Sequence, residues 1–134
     1  MKKKIPFLLL FIVLLAGCGG KTSIADTIKN NFSKEVKESL ADKELFVSDE
    51  NLKEIDIVVY LKAPEDFPKA AEELTVIAKN LAKPVRSIIL SSEDDAGNVY
   101  NWTSFDCEQG ALIGGDGLVD LDVDGLYEYF GVQK

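Results

Sequence analysis

The spacing of apolar and polar residues predicts most of the secondary structure of this chain. Apolar residues recur at every fourth position from Ile24 to Leu40, which predicts an amphipathic helix over about residues 23–41. A second apolar stripe follows Pro64 and predicts another helix, which Pro84 ends. We expect the apolar faces of both helices to pack in the core.

Four segments rich in β-branched and aromatic residues are predicted to be strands. They are ELFVS (44–48), IDIVVYLK (55–62), VRSIILSS (85–92) and NVYNWTSFDC (98–107). The first two should form one hairpin and the last two another, while a helical crossover between the second and third strands favours a parallel pair. The sequence thus predicts an α+β fold of order α-β-β-α-β-β. Its sheet is expected to be mixed, mainly antiparallel and four-stranded, with the helices packed on one face.

The first residues of the chain do not follow this domain pattern. Three lysines precede the apolar run IPFLLLFIVLL (5–15), and small residues come after it. This order is typical of a secretory signal, and the run is shorter than the roughly 20 residues of a transmembrane helix. We therefore expect the protein to be exported.

The end of this signal, LAGC (15–18), resembles the lipobox of bacterial lipoproteins, L-[AS]-[GA]-C. In that family the cysteine thiol receives a diacylglycerol, and the signal peptide is cut off just before it. The resemblance implies a signal peptide over residues 1–17, lipid attachment at Cys18 and a lipidated tether over residues 18–23. Residues 24–134 would then form a single domain.

The predicted anchor also changes the charge balance of the chain. Removing residues 1–17 takes away three lysines and leaves 12 basic and 23 acidic residues, a net charge of −11. This excess of acid argues against nucleic-acid binding and favours either a solvated domain or a basic partner. The resemblance implies attachment to the outer face of the cell membrane. In a cell with an outer membrane it implies sorting there, because Gly19 is not the aspartate associated with inner-membrane retention.

The residue inventory excludes several chemistries. The sequence contains no histidine, which excludes Ser-His-Asp and Cys-His catalysis and histidine-ligated zinc. Cys107 is the only cysteine besides Cys18, and we expect it to be buried and free of any internal disulfide. An enzyme is therefore not expected. A histidine-free hydrolase is the alternative, and it would need a concave cluster of polar groups.

The acidic tail contains one pattern that suggests a ligand. Asp120, Asp122 and Asp124 match D-x-D-x-D-G, the first half of a calcium loop, but the twelfth position is Gly131 instead of glutamate. The same alternation also fits an edge strand whose aspartates face water. No cofactor is predicted, and calcium binding stays an alternative.

Two aromatic residues on the fourth predicted strand are candidates for contact with a partner. Tyr100 and Trp102 share one face of this strand, where packing against a helix is the alternative. The sequence as a whole predicts a lipoprotein that is anchored to the membrane and binds an envelope or extracellular protein without catalysis. A small-ligand or calcium-binding domain is the second hypothesis and a small hydrolase the third.

Overall fold

The computed structural model describes residues 23–48, 51–105, 107, 109–115 and 117–134. Within these residues, the chain forms four α-helices and six strands. The helices are α1 (Ile24–Asn31), α2 (Lys34–Ser39), α3 (Phe67–Lys79) and α4 (Val123–Phe130). The strands are β1 (Phe46–Val47), β2 (Ile55–Leu61), β3 (Val85–Glu93), β4 (Val99–Ser104), β5 (Gln109–Gly114) and β6 (Gly117–Asp122).

The six strands lie in one mixed sheet in the order β1-β2-β3-β4-β5-β6. Every neighbouring pair is antiparallel except β2 and β3, which are parallel and are connected by a 3₁₀ turn (Pro64–Asp66) and α3. The prediction of an α+β fold is confirmed. The predicted four-stranded sheet and the order α-β-β-α-β-β are wrong, because two helices precede β1 and the chain beyond β4 adds two more strands and α4.

The prediction of one helix over about residues 23–41 is also wrong, because two short helices, α1 and α2, form within this range. Ser33 separates them with an extended backbone, and its hydroxyl accepts a hydrogen bond from the amide of Val36 at 3.2 Å. The amide of Ser33 donates to the carboxylate of Glu73 on α3 at 2.8 Å. Phe32 and Val36 both remain buried, so the apolar stripe continues across the break.

All four helices contribute side chains to one core against the same face of the sheet, which we call the covered face. This face carries alternate residues of the strands, and the following are 0% exposed: Ile55, Ile57, Val59, Ile88, Leu90, Trp102 and Leu112. The other residues of the strands point to the opposite side, which we call the open face. No helix covers the open face in the part of the chain that the structure describes.

Candidate functional site

The predicted anchor is not part of the described structure. Cys18 lies outside the described residues, together with the rest of the signal peptide and most of the tether. Among the helices that the structure does describe, none has both the length and the apolar character that a membrane span requires. Cys107 is buried, with 8% of its surface exposed, and its backbone has a positive φ of 64°.

The aromatic pair of β4 faces the helices. Trp102 is fully buried, and its indole Nε1 donates a hydrogen bond to the carbonyl of Leu121 at 2.8 Å. The indole ring reaches across Gly110, where a Cβ atom would lie only 2.5 Å from the nearest ring atom. Tyr100 is half-buried and packs edge-on against Phe130, with 6.2 Å between the ring centroids. Trp102 therefore has no surface to offer a partner.

The three aspartates of the tail have different surroundings. Asp120 lies on the open face of β6, whereas Asp122 caps α4 by accepting a hydrogen bond from the amide of Gly125 at 2.8 Å. Asp124 forms an ion pair with Lys134. No group of three or more potential metal ligands comes together among the described residues. The described carboxylates thus form no ready cage for calcium.

A shallow hollow of about 570 Å³ lies on the open face beside β6. Its floor is formed by two small residues, Gly110 and Ala111, which lie between larger side chains. Phe105, which is 72% exposed, and Ile113, which is 52% exposed, rise on either side. Asp120 lies at the rim. We call this feature the β5–β6 hollow.

The β5–β6 hollow is continuous with a further exposed apolar side chain. Ile113 is paired in register with Leu118, which is 69% exposed, and both point to the open face. This patch was not predicted from the sequence. Alternation along β6 could have indicated that Leu118 and Asp120 share a face, but not that this face lacks a covering helix.

The carboxylate of Asp120 differs from that of Asp56, which lies on the open face of β2. Arg86 donates two hydrogen bonds to Asp56, from Nε at 3.0 Å and from Nη2 at 2.6 Å, and the hydroxyl of Ser87 donates a third at 2.7 Å. These bonds, above all those from Arg86, lower the pKa of Asp56 from its ordinary value. Asp120 has no hydrogen-bond or ion-pair partner among the described residues.

A partly buried hydrogen bond between two side chains joins α3 and α4. The Tyr127 hydroxyl of α4 donates to the Glu72 carboxylate of α3, and burial together with this carboxylate raises the pKa of Tyr127.

The hydroxyls of Ser92 and Ser104 are buried and have no hydrogen-bond partner among the described residues. A nucleophilic serine needs a base within hydrogen-bond reach, and the described residues supply none to either of them.

The fold and the site thus define an α+β domain with one helix-covered sheet face and one open face that bears an apolar hollow. The chain matches no protein-family model, no curated protein and no solved structure. The functional proposal therefore rests on the residues of this chain alone.

Proposed function

We propose that this protein is a lipid-anchored lipoprotein on the outer face of the cell membrane, and that its domain binds another protein without catalysis. The resemblance of LAGC (15–18) to a lipobox supports the anchor and the export. The open face supports the binding. Neither a cofactor nor a nucleic acid has a part in this proposal.

The observation that carries the binding role is the exposed apolar surface around the β5–β6 hollow. Phe105, Ile113 and Leu118 each expose more than half of their surface, whereas Trp102 of β4 and Leu112 of β5 are completely buried on the covered face. Contiguous apolar surface with a polar rim is typical of protein interaction sites. Exposing it costs solvation free energy, which a partner would recover by covering it.

The short tether would keep the domain near the membrane. Five peptide steps separate Cys18 from Ser23, where the described structure begins, and they span at most about 18 Å. A lipidated protein with this tether would meet partners that are themselves in or near the membrane. The acidic charge of the mature chain disfavours lying flat on anionic lipid.

Site-specific photocrosslinking in the native cells tests this proposal. A photoreactive phenylalanine analogue replaces Ile113 on the open face in one variant and Val76 in the control. Val76 is an exposed apolar residue of α3, on the helical side, so the control carries the same probe on the other side of the domain. We expect a discrete protein adduct from position 113 and none from position 76.

The anchor is tested in the same cells by Cys18→Ala. Metabolic labelling with a fatty-acid analogue should mark the wild-type protein and not this variant, and the adduct at position 113 should weaken when the anchor is lost. Equal adducts from both probe positions would contradict the binding role. Fatty-acid labelling that persists in Cys18→Ala would contradict the anchor.

A further inference from the structure

The edge strand β6 is available for pairing with another strand. Among the described strands it is bonded only to β5, in a continuous antiparallel register from Gly117 to Asp122. Alternate residues of such a strand direct their amide and carbonyl groups away from the sheet. Proteins commonly protect an edge with charged side chains, above all lysine, or with proline or a bulge. The strand β6 carries Asp120 and Asp122 but no lysine, proline or bulge, so its charged protection is only acidic.

The sequence that forms this half of the sheet is strongly acidic. Between Arg86 and Lys134 the sequence contains ten acidic residues and no lysine or arginine. The strands β4, β5 and β6 all lie within this stretch, and Lys134, which follows it, is paired with Asp124. This half of the sheet would attract a cationic segment and repel an anionic one.

The side chains beside the edge alternate in character. Leu118 is apolar and 69% exposed, and Asp120, two residues further on, carries a carboxylate without a partner among the described residues. Both point to the open face next to the β5–β6 hollow. A strand added to β6 would place its own alternate side chains opposite these two.

We propose that β6 binds an extended segment of a partner protein in which apolar and basic side chains alternate. The segment pairs with β6 as a seventh strand of the sheet. An apolar side chain of the segment covers Leu118, and a lysine or arginine lies opposite Asp120. This inference rests on the proposed binding function and names its site and the chemistry of its partner.

Charge argues against a second copy of this chain as the occupant. If two β6 strands paired antiparallel around their centres, the two Asp120 carboxylates would share one face, either opposite or diagonal to each other. Like charges at these positions destabilise a strand pair. A basic partner removes this repulsion, and it also neutralises the acidic surroundings of the edge.

Titration of the full chain with labelled synthetic peptides tests the proposal. The probe is an eight-residue peptide with capped ends that alternates lysine and valine. Its control has the same composition in two blocks, four lysines followed by four valines, so its charge is equal and its alternation is lost. Fluorescence anisotropy should show that the alternating peptide binds about tenfold more tightly than the block peptide.

Two charge-reversal variants locate the binding. Asp120→Lys should weaken binding of the alternating peptide by about tenfold. Glu38→Lys makes the same change of charge on α2, where Glu38 is exposed on the helical side, and should change the affinity less than about twofold. Amide hydrogen exchange should show new protection at alternate residues of β6 in the complex.

The following outcomes would overturn the proposal. Equal binding of the two peptides, or equal losses in the two variants, would reduce the effect to unspecific charge attraction. A concentration-dependent dimer of the free chain that Asp120→Lys disrupts would make a second copy the occupant. Failure of the alternating peptide to bind, with the adduct at position 113 still formed in cells, would contradict this partner chemistry and leave the binding function standing. If the alternating peptide did not bind and no adduct formed at position 113, both the binding function and this partner chemistry would be contradicted.

Discussion

The two faces of the sheet are built from the same strands and differ mainly in what covers them. On the covered face, Leu90, Trp102 and Leu112 are completely buried. On the open face, Ile113 is 52% and Leu118 is 69% exposed, although both are large apolar residues. The covered face thus accounts for the stability of the domain, whereas the open face contributes little to it. Substitutions on the two faces should therefore separate stability from binding.

The largest effect is expected at the centre of the covered face. Trp102→Ala removes a fully buried indole together with its hydrogen bond to Leu121, and should lower the free energy of unfolding by about 4 kcal/mol. Ile113→Ala on the open face should cost less than about 1 kcal/mol, because half of that side chain is already in water. Denaturant unfolding followed by far-UV circular dichroism measures both. Similar losses for the two variants would abolish the distinction between the faces.

A second pair of variants adds atoms instead of removing them. Gly110→Ala places a Cβ atom 2.5 to 2.7 Å from three ring atoms of Trp102 and should destabilise the domain by about 2 kcal/mol. Ala111→Val adds volume one residue away, in the floor of the β5–β6 hollow, and should change the stability by less than about 0.5 kcal/mol. Filling the hollow should instead weaken binding at the open face.

Thermal unfolding gives the stability of both variants, and the fluorescence of Trp102 reports on the ring itself, because this is the only tryptophan. Its emission should shift in Gly110→Ala and stay constant in Ala111→Val. A Gly110→Ala variant as stable as the wild type would mean that the indole can move away from β5 at little cost.

The glycines between β5 and β6 show where prediction from the sequence failed. The glycines of ALIGGDG (111–117) are typical of a flexible connection. In the fold, Gly114, Gly115 and Gly117 have positive φ values and turn the chain back sharply between two strands. The glycines thus form a tight turn between two strands. The conformation of this turn depends on the neighbouring strand β4, and a local sequence pattern does not show that neighbour.

The elements that were predicted well depend on local periodicity alone. The stripe after Pro64 has the helical spacing that α3 uses, and β2 shows the alternation of its buried residues. The break at Ser33 was missed because its stability depends on Glu73, which is 40 residues away. Helices packed on one face of the sheet were predicted and are found, but the apolar patch on the open face was missed. Alternation assigns residues to two faces, and only the packed helices decide which of these faces stays uncovered.

A smaller effect is expected where the helices meet above the covered face. Tyr127→Phe removes the hydroxyl that donates to Glu72 and should lower the free energy of unfolding by about 1 kcal/mol. Burial, with Glu72, raises the pKa of Tyr127 above its ordinary value of 10.0. The folded state therefore keeps this proton more tightly than the unfolded state does. The contribution to stability is present below pH 10.0 and is lost as the pH rises further.

Alkaline denaturation separates this tyrosine from the lysines that titrate in the same range. The wild type should lose stability above about pH 10 more steeply than Tyr127→Phe does. Tyr60→Phe is the matched control, because Tyr60 is a half-exposed tyrosine on the open face. This control should keep the wild-type slope. A wild-type slope in Tyr127→Phe would show that its ionisation does not limit stability at high pH.

The smallest effects should distinguish two carboxylates of the open face. Asp56 is held by Arg86 and Ser87, which lower its pKa below the ordinary 3.8, so its contribution to stability is present above that value and is lost as the pH falls below it. Asp56→Asn should lower the Tm at neutral pH. Between about pH 4 and pH 2 the Tm of this variant should then fall less than that of the wild type.

Asp120→Asn should leave the Tm at neutral pH unchanged or slightly higher, because this carboxylate has no partner among the described residues and lies in acidic surroundings. Differential scanning calorimetry of both variants and the wild type across the acid range measures the contrast. If Asp120→Asn lowered the Tm as much as Asp56→Asn does, Asp120 would stabilise the domain itself and would not be free for a partner. An unchanged Tm, combined with weaker peptide binding, would show that the edge of the open face holds a charge that the fold does not need.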